Sequence, residues 1–148
     1  MTKVIDGTNA ILGRLASFTA KEALKGEEIV ILNCNKIIIT GNKENIKKEF
    51  QETRGRVGSG QLGPKVSRLA DRIVKRTIRG MVPHRQKKGK DALNRIRCYI
   101  GVPSEFEKSN KITSGKIKPI KFVSIKEISK WNFLLRENEK QQLLGLFL

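Results

Sequence analysis

The chain has 148 residues, 38% hydrophobic and 30% charged, with 31 Lys and Arg against 14 Asp and Glu, a formal net charge of +17. That length suits one domain with a buried core, and the cationic excess points to a polyanionic partner. No apolar run is long enough to cross a bilayer, and the opening MTKVIDG turns polar too soon for a signal peptide, so the cytosol is the expected compartment.

Residues 3–6 read as a short strand, followed by the turn Gly7-Thr8-Asn9. Ile11, Leu12, Leu15, Ala16, Ala20, Ala23 and Leu24 then recur at three- and four-residue spacing, the apolar stripe of a helix that Gly26 stops. EIVIL (residues 28–32) is β-branched and too short for a helix, which predicts a strand buried on both faces. KIIIT (36–40) predicts another strand, and residues 43–53 a polar helix. Residues 54–67 have no apolar period and several glycines, so this loop is expected to be disordered alone and ordered on a partner.

Helical period returns over residues 69–81. At about 100° per residue, Leu69, Ile73, Val74, Thr77, Ile78 and Met81 share one half of the wheel, and Arg68, Arg72, Lys75, Arg76 and Arg79 the other. Gly80 and Pro83 end that helix. A short helix is expected at 89–97 with Ala92, Leu93 and Ile96 inward, then a strand at 98–100. Residues 104–119 read as loop, Phe122-Val123 as briefly extended, and Ser124 with Glu127 as a capping box opening a helix through Ile128 and Trp131. The apolar end QQLLGLFL is expected to dock on a neighbour or on its own domain. The element order predicts an α/β fold with a small, mainly parallel sheet covered on both faces.

The charge is not spread evenly. Residues 54–97 hold fourteen Lys and Arg and two acids, so +12 of the +17 lies there, along with nine of the eleven arginines. Arg offers phosphate a planar, weakly hydrated fork, and its concentration in one stretch predicts a site for a polyanion. Catalytic chemistry is missing by comparison. DGTNAILG sits where phosphate loops occur, between a strand and a helix, but lacks their glycine spacing. Gly13 there is read instead as allowing close approach of helix to sheet. His84, the only histidine, has no Cys, Asp or Glu at ligand or triad spacing. Cys34 and Cys98 lie among apolar residues and are expected as buried thiols. No cofactor, metal or small-molecule substrate is expected. The aromatics form no stacking platform of the RRM kind, and neither a helix-turn-helix nor a zinc finger is visible. What remains is cations and backbone amides gripping the phosphates of a folded RNA by shape.

The ordered set VID, ILGRLAS, EIVILN, KIIITGN, RTIRGMVPH, GKDALNRIR and YIGVP resembles the large-subunit ribosomal protein thirteen family, in its archaeal and eukaryotic branch. The likeness runs from about Val4 to Pro103. It implies a three-layer α/β/α domain over residues 1–103 with a parallel four-stranded sheet, a basic RNA-binding region at 54–97 and a C-terminal extension at 104–148. It implies a structural, non-enzymatic role, with large-subunit rRNA and neighbouring ribosomal proteins as partners and no membrane. By motif match it carries over Gly13, Arg14, Gly41, Asn42, Arg76, Arg79, Gly80, Met81 and Pro83, and its basic region falls on residues 87–90.

Taken together, the candidate RNA-binding residues are Arg14, Asn42, Arg54, Arg56, Lys65, Arg68, Arg72, Lys75, Arg76, Arg79, His84, Arg85, Lys87, Lys88 and Lys90. Two other readings stay open at this point. One is a free-standing RNA-binding regulator of the same fold, which would not co-sediment with large subunits. The other is a nucleotide-using enzyme, against which the missing phosphate loop counts.

Overall fold

The computed structural model describes residues 2–56, 66–113 and 121–129. Four strands form one all-parallel sheet: β1 (Thr2–Asp6), β2 (Glu28–Leu32), β4 (Ile96–Cys98) and β5 (Lys111–Thr113), in the order β4-β2-β1-β5. The predicted α/β class and four-stranded parallel sheet hold, but one strand is exchanged. Residues 38–40, expected in this sheet, form β3 (Ile38–Thr40) and pair antiparallel with β6 (Phe122–Ser124). The cause is local. After β2 the backbone turns through Asn33 at φ 55° into a 3-10 turn at Cys34–Lys36, which carries the chain away from the sheet. Its place is taken by β5, from a stretch read as loop, whose three residues pair with Val4, Ile5 and Asp6 of β1.

Ile5, Ile29, Ile31 and Ile96 point from the sheet into the main core, beneath α1 (Leu12–Leu24), α3 (Ala70–Met81) and α4 (Lys87–Asn94). Val4, Val30 and Leu32 project from the opposite face and meet Tyr99, Val102 and Phe106, so β2 is buried on both sides, as its continuous apolar run predicts. Among the described residues this second covering layer is thin, with one 3-10 turn at Ser104–Phe106. On α1 the buried stripe is Leu12, Leu15, Ala16, Thr19, Ala20 and Ala23, whose small members let α3 and α4 pack close. Gly26, at φ 106°, closes that helix in a conformation that a side chain would strain. Gly13 does not have the expected role. It is exposed with open space where a Cβ would stand, and the close approach belongs to Gly7, whose Cβ would lie 2.9 Å from the Leu32 carbonyl.

Boundaries also shift. The fourth helix starts at Lys87 and stops at Asn94, and Ile96, expected on its inner face, is buried instead as the first residue of β4. Near the end, α5 (Ile125–Ile128) is one turn long, and Ser124 makes no capping hydrogen bond. Glu127 pairs with Lys43 at 2.8 Å and Lys47 at 3.4 Å on α2 (Lys43–Gly55), fastening this turn to the polar helix. Trp131 and the apolar terminus lie outside the described residues, as do residues 57–65 of the glycine-rich loop.

Glu22 gives the fold a pH signature. Hydrogen bonds from Lys25, at 2.6 Å, and from Lys3 bring its pKa down from 4.5 to about 2. With a folded pKa below the unfolded one, the stabilisation is complete above the unfolded value. It is lost as pH falls toward the folded one, because only the unfolded chain takes up the proton in between. The melting temperature should therefore drop between pH 4.5 and about 2. Glu22→Gln should flatten that part of the profile, and parallel profiles for the two proteins would exclude Glu22 as the source.

Candidate nucleic-acid interface

The cationic helix α3 is oriented by its apolar half. Ala70, Ile73, Val74 and Ile78 are buried against the core, which leaves Arg72, Lys75, Arg76 and Arg79 on the exposed side. Thr77 is half-buried, and its hydroxyl donates back to the Ile73 carbonyl at 3.1 Å. Met81, expected inward, is 43% exposed; the chain turns away at Val82, which is buried at 5% in its place.

Arg72, Lys75, Arg76 and Arg79, with Ser67 and Leu93, line a surface depression of about 300 Å³. Arg68 is exposed just before the helix. Among the described residues, ion pairs join Lys3, Lys25, Lys43 and Lys47 to Glu22, Glu27 and Glu127, and none involves the cations of α3. Lys75 donates to the Ile96 carbonyl at 3.0 Å, which fixes its ammonium over the end of β4 and leaves two N–H groups free to bind. Like charges three and four residues apart on a helix repel, at about 0.2–0.5 kcal/mol per pair. This row is therefore a cost in the free protein that a polyanion would relieve.

Past α3, Val82 is buried and the chain reverses tightly. His84 N donates to the Val82 carbonyl at 2.7 Å, and Gln86 N to the Pro83 carbonyl at 3.0 Å. This turn holds His84 and Arg85 exposed and starts α4. Gly89 and Ala92 face inward on α4, so Lys87, Lys88 and Lys90 face outward. Gly89 is required here, since a Cβ would fall 2.1 Å from the Pro83 oxygen. The helix, the turn and the next helix thus present seven exposed cations at Arg72, Lys75, Arg76, Arg79, Arg85, Lys87 and Lys88, with Lys90 following.

Other candidates are placed differently. Arg54 is half-buried in the last turn of α2. Its guanidinium donates to the Ile128 carbonyl at 2.6 Å and lies 5.9 Å from the Phe50 ring centre, so it ties α5 to α2. Burial, and then the nearby charge of Arg68, lower its pKa. Asn42 is exposed and caps α2, its side chain accepting from Glu44 N at 3.2 Å. Arg14 and Arg56 are exposed on α1 and just past α2, and none of Arg14, Asn42 or Arg56 lines the depression. Lys65 lies outside the described residues.

Sequence reading misses Ser67 and Leu93 as lining residues; Leu93 follows the inward-facing Ala92, and its apolar type alone places it wholly inside. Arg95 and Arg97 count in the basic segment but point elsewhere. Arg95 donates to the Ala23 carbonyl at 3.4 Å, and both line a second depression with Glu28 and Glu105, whose mixed charge separates it from the cationic surface.

The turn after β1 is closed to phosphate. Asp6 accepts from Thr8 N at 3.0 Å, Thr8 Oγ1 at 2.8 Å and Asn33 Nδ2 at 3.0 Å, so a carboxylate occupies the donors an anion would need. Among the described residues, no three His, Cys, Asp or Glu side chains are grouped to hold a metal, and no helix is long and apolar enough to cross a membrane.

The family model described as Ribosomal protein L13 matches residues 1–105. The chain is 45% identical over 130 residues to the large ribosomal subunit protein uL13 of Methanocaldococcus jannaschii, covering 86% of this chain and 94% of the relative. It is 43% identical over 132 residues to the uL13 of Methanosarcina barkeri, covering 85% and 94%. With the uL13 of Methanopyrus kandleri it shares 48% identity over 107 residues, covering 72% and 67%. These relatives are ribosomal proteins, not enzymes, and all three are archaeal.

Proposed function

The chain belongs to the ribosomal protein L13 family of the large ribosomal subunit, and from that premise we propose that it binds and stabilises folded large-subunit rRNA through α3, the turn after it and the start of α4. The observation that carries this reading is the meeting of Arg72, Lys75, Arg76 and Arg79 around one depression with no carboxylate partner among the described residues. Arginine forks there would clamp phosphates, and the turn with His84 and Arg85 would extend the grip along the RNA backbone. Lys87, Lys88 and Lys90 add charge beside it. Arg14, Asn42, Arg56 and Lys65 are assigned secondary contacts, and Arg54 a mainly structural one.

The domain at 1–103 carries this surface, and the extension at 104–148 adds strands and a fastening turn to it. Phe18, Ile112 and Phe122, each more than two-fifths exposed, suit burial against neighbouring ribosomal proteins. The protein would work in the cytoplasm, on the ribosome. Sucrose-gradient sedimentation of tagged chain from cells decides this: it should travel with large subunits and stay with them through a high-salt wash. Recovery of the chain only at the top of the gradient would favour a free-standing RNA-binding protein. Saturable binding of a nucleoside triphosphate to the purified chain would revive an enzymatic reading.

A further inference from the structure

The topology brings the two cysteines of the chain together. Cys34 follows β2, Cys98 ends β4, and these strands are parallel neighbours with Ile31 beside Cys98. The Cys34 amide donates to the Tyr99 carbonyl at 3.0 Å, and Tyr99 N donates to the Ile31 carbonyl at 2.8 Å. Cys34 Sγ lies 3.8 Å from that same Ile31 oxygen. Both side chains pack into the main core, close enough that each thiol shifts the titration of the other. Cys34 has no exposed surface, whereas Cys98 is half-buried.

We propose that Cys34 and Cys98 form a hydroperoxide-responsive dithiol, in which Cys98 is oxidised first and Cys34 resolves it to an intramolecular disulfide. The Cys98 thiolate would attack a peroxide oxygen, forming an S–O bond and breaking the O–O bond, and the departing oxygen takes up a proton. The Cys34 sulfur then attacks the Cys98 sulfenic sulfur. The S–S bond forms, the S–O bond breaks, and hydroxide leaves as water with the Cys34 proton. Two thiols thus give up two electrons, and one hydroperoxide becomes an alcohol (water, from hydrogen peroxide) and water.

The order of attack follows from the surroundings. Cys98 is the one within reach of solvent. The neighbouring Cys34 thiol lowers its pKa against the opposing effect of burial, Lys75 helps, and Asp71 opposes. The Cys98 thiol, reinforced by burial, raises the pKa of Cys34. A half-buried thiol of lowered pKa beside a fully buried partner is the arrangement that favours oxidation over inertness. The disulfide would close a ring from residue 34 to residue 98, which contains the whole cationic segment 54–97. Such a bond acts chiefly on the unfolded chain, more strongly for long rings. It would hold the fold beneath the arginines without altering them.

The test uses the full chain exposed to hydrogen peroxide. Its mass should fall by about 2 Da as two hydrogens are lost. A peptide map should show Cys34 joined to Cys98, and melting should rise by roughly 10 °C, reversed by dithiothreitol. Cys34→Ser should accumulate a dimedone-reactive sulfenic acid at Cys98, and Cys98→Ser should leave Cys34 unreacted. Wild-type protein that ends as free thiols, as intermolecular dimers or as sulfinic acid would overturn the proposal, and so would dimedone labelling of Cys34 in Cys98→Ser. If either serine variant fails to fold, the wild-type mass, map and melt decide.

Discussion

Gly89→Ala should destabilise the protein by about 3 kcal/mol or more, although alanine favours a helix over glycine by about 1 kcal/mol. The added methyl would sit 2.1 Å from the Pro83 oxygen, 2.3 Å from the Pro83 carbonyl carbon and 2.8 Å from the His84 nitrogen. All three are backbone atoms and cannot rotate aside, so either α4 or the turn at 82–86 must move. The same shift would displace His84, Arg85, Lys87 and Lys88, so rRNA affinity should fall with stability. Thermal melting checks the first part: a loss of at least roughly 6 °C is expected, at about 2–8 °C per kcal/mol. A variant melting at or above the wild type would show that α4 does not rest on this turn.

Ile78→Ala should cost roughly 2–5 kcal/mol, because it removes buried methylenes and leaves a cavity that a packed core only partly closes. Ile78 has no exposed surface and lies in the core between the sheet and α1. Its neighbour Arg79 is exposed, and Arg79→Ala should change stability by no more than about 0.5 kcal/mol. Chemical denaturation of the two variants side by side reads this contrast directly. Similar losses in both would place α3 the other way round.

How much of this is legible in the sequence depends on how far each signal reaches along the chain. The orientation of α3 is legible because its apolar residues repeat with the helical period, and that period alone separates Ile73, Val74 and Ile78 from Arg72, Arg76 and Arg79. β2 is legible because a short apolar run with three β-branched residues in a row has few other fates. β5 is not. Its residues Lys111, Ile112 and Thr113 carry one apolar side chain, and the strand exists through backbone pairing with β1, more than a hundred residues earlier. Parallel pairing of that range leaves no local pattern. The fate of Ile38 to Thr40 is hidden for a related reason: they are ordinary strand residues, and the sheet they join is decided by Asn33 and by β6.

At the candidate site, residue type identifies the cations but not their duties. Arg54 and Lys75 look like their neighbours in sequence. In the structure each has a carbonyl to hold, at Ile128 and Ile96 respectively. The depression itself needs Ser67 and Leu93, which approach α3 from the segments on either side. The resemblance marks Gly80, whose Cβ position is open. The glycine with a steric reason is Gly89, and its reason is a carbonyl six residues upstream.

The central claim is that the exposed side of α3 neutralises rRNA phosphates, and salt titration of binding tests it most directly. Affinity for a large-subunit rRNA fragment should be measured across a range of salt for the wild type and for a variant carrying Arg72→Ala, Arg76→Ala and Arg79→Ala, with melts confirming that both are folded. For the wild type, log K should fall linearly and steeply with log salt. The variant should bind more weakly, with a slope shallower by about one for each phosphate it no longer neutralises, so by about three. A folded variant that kept both the affinity and the slope of the wild type would contradict the account and move the RNA to another face of the protein.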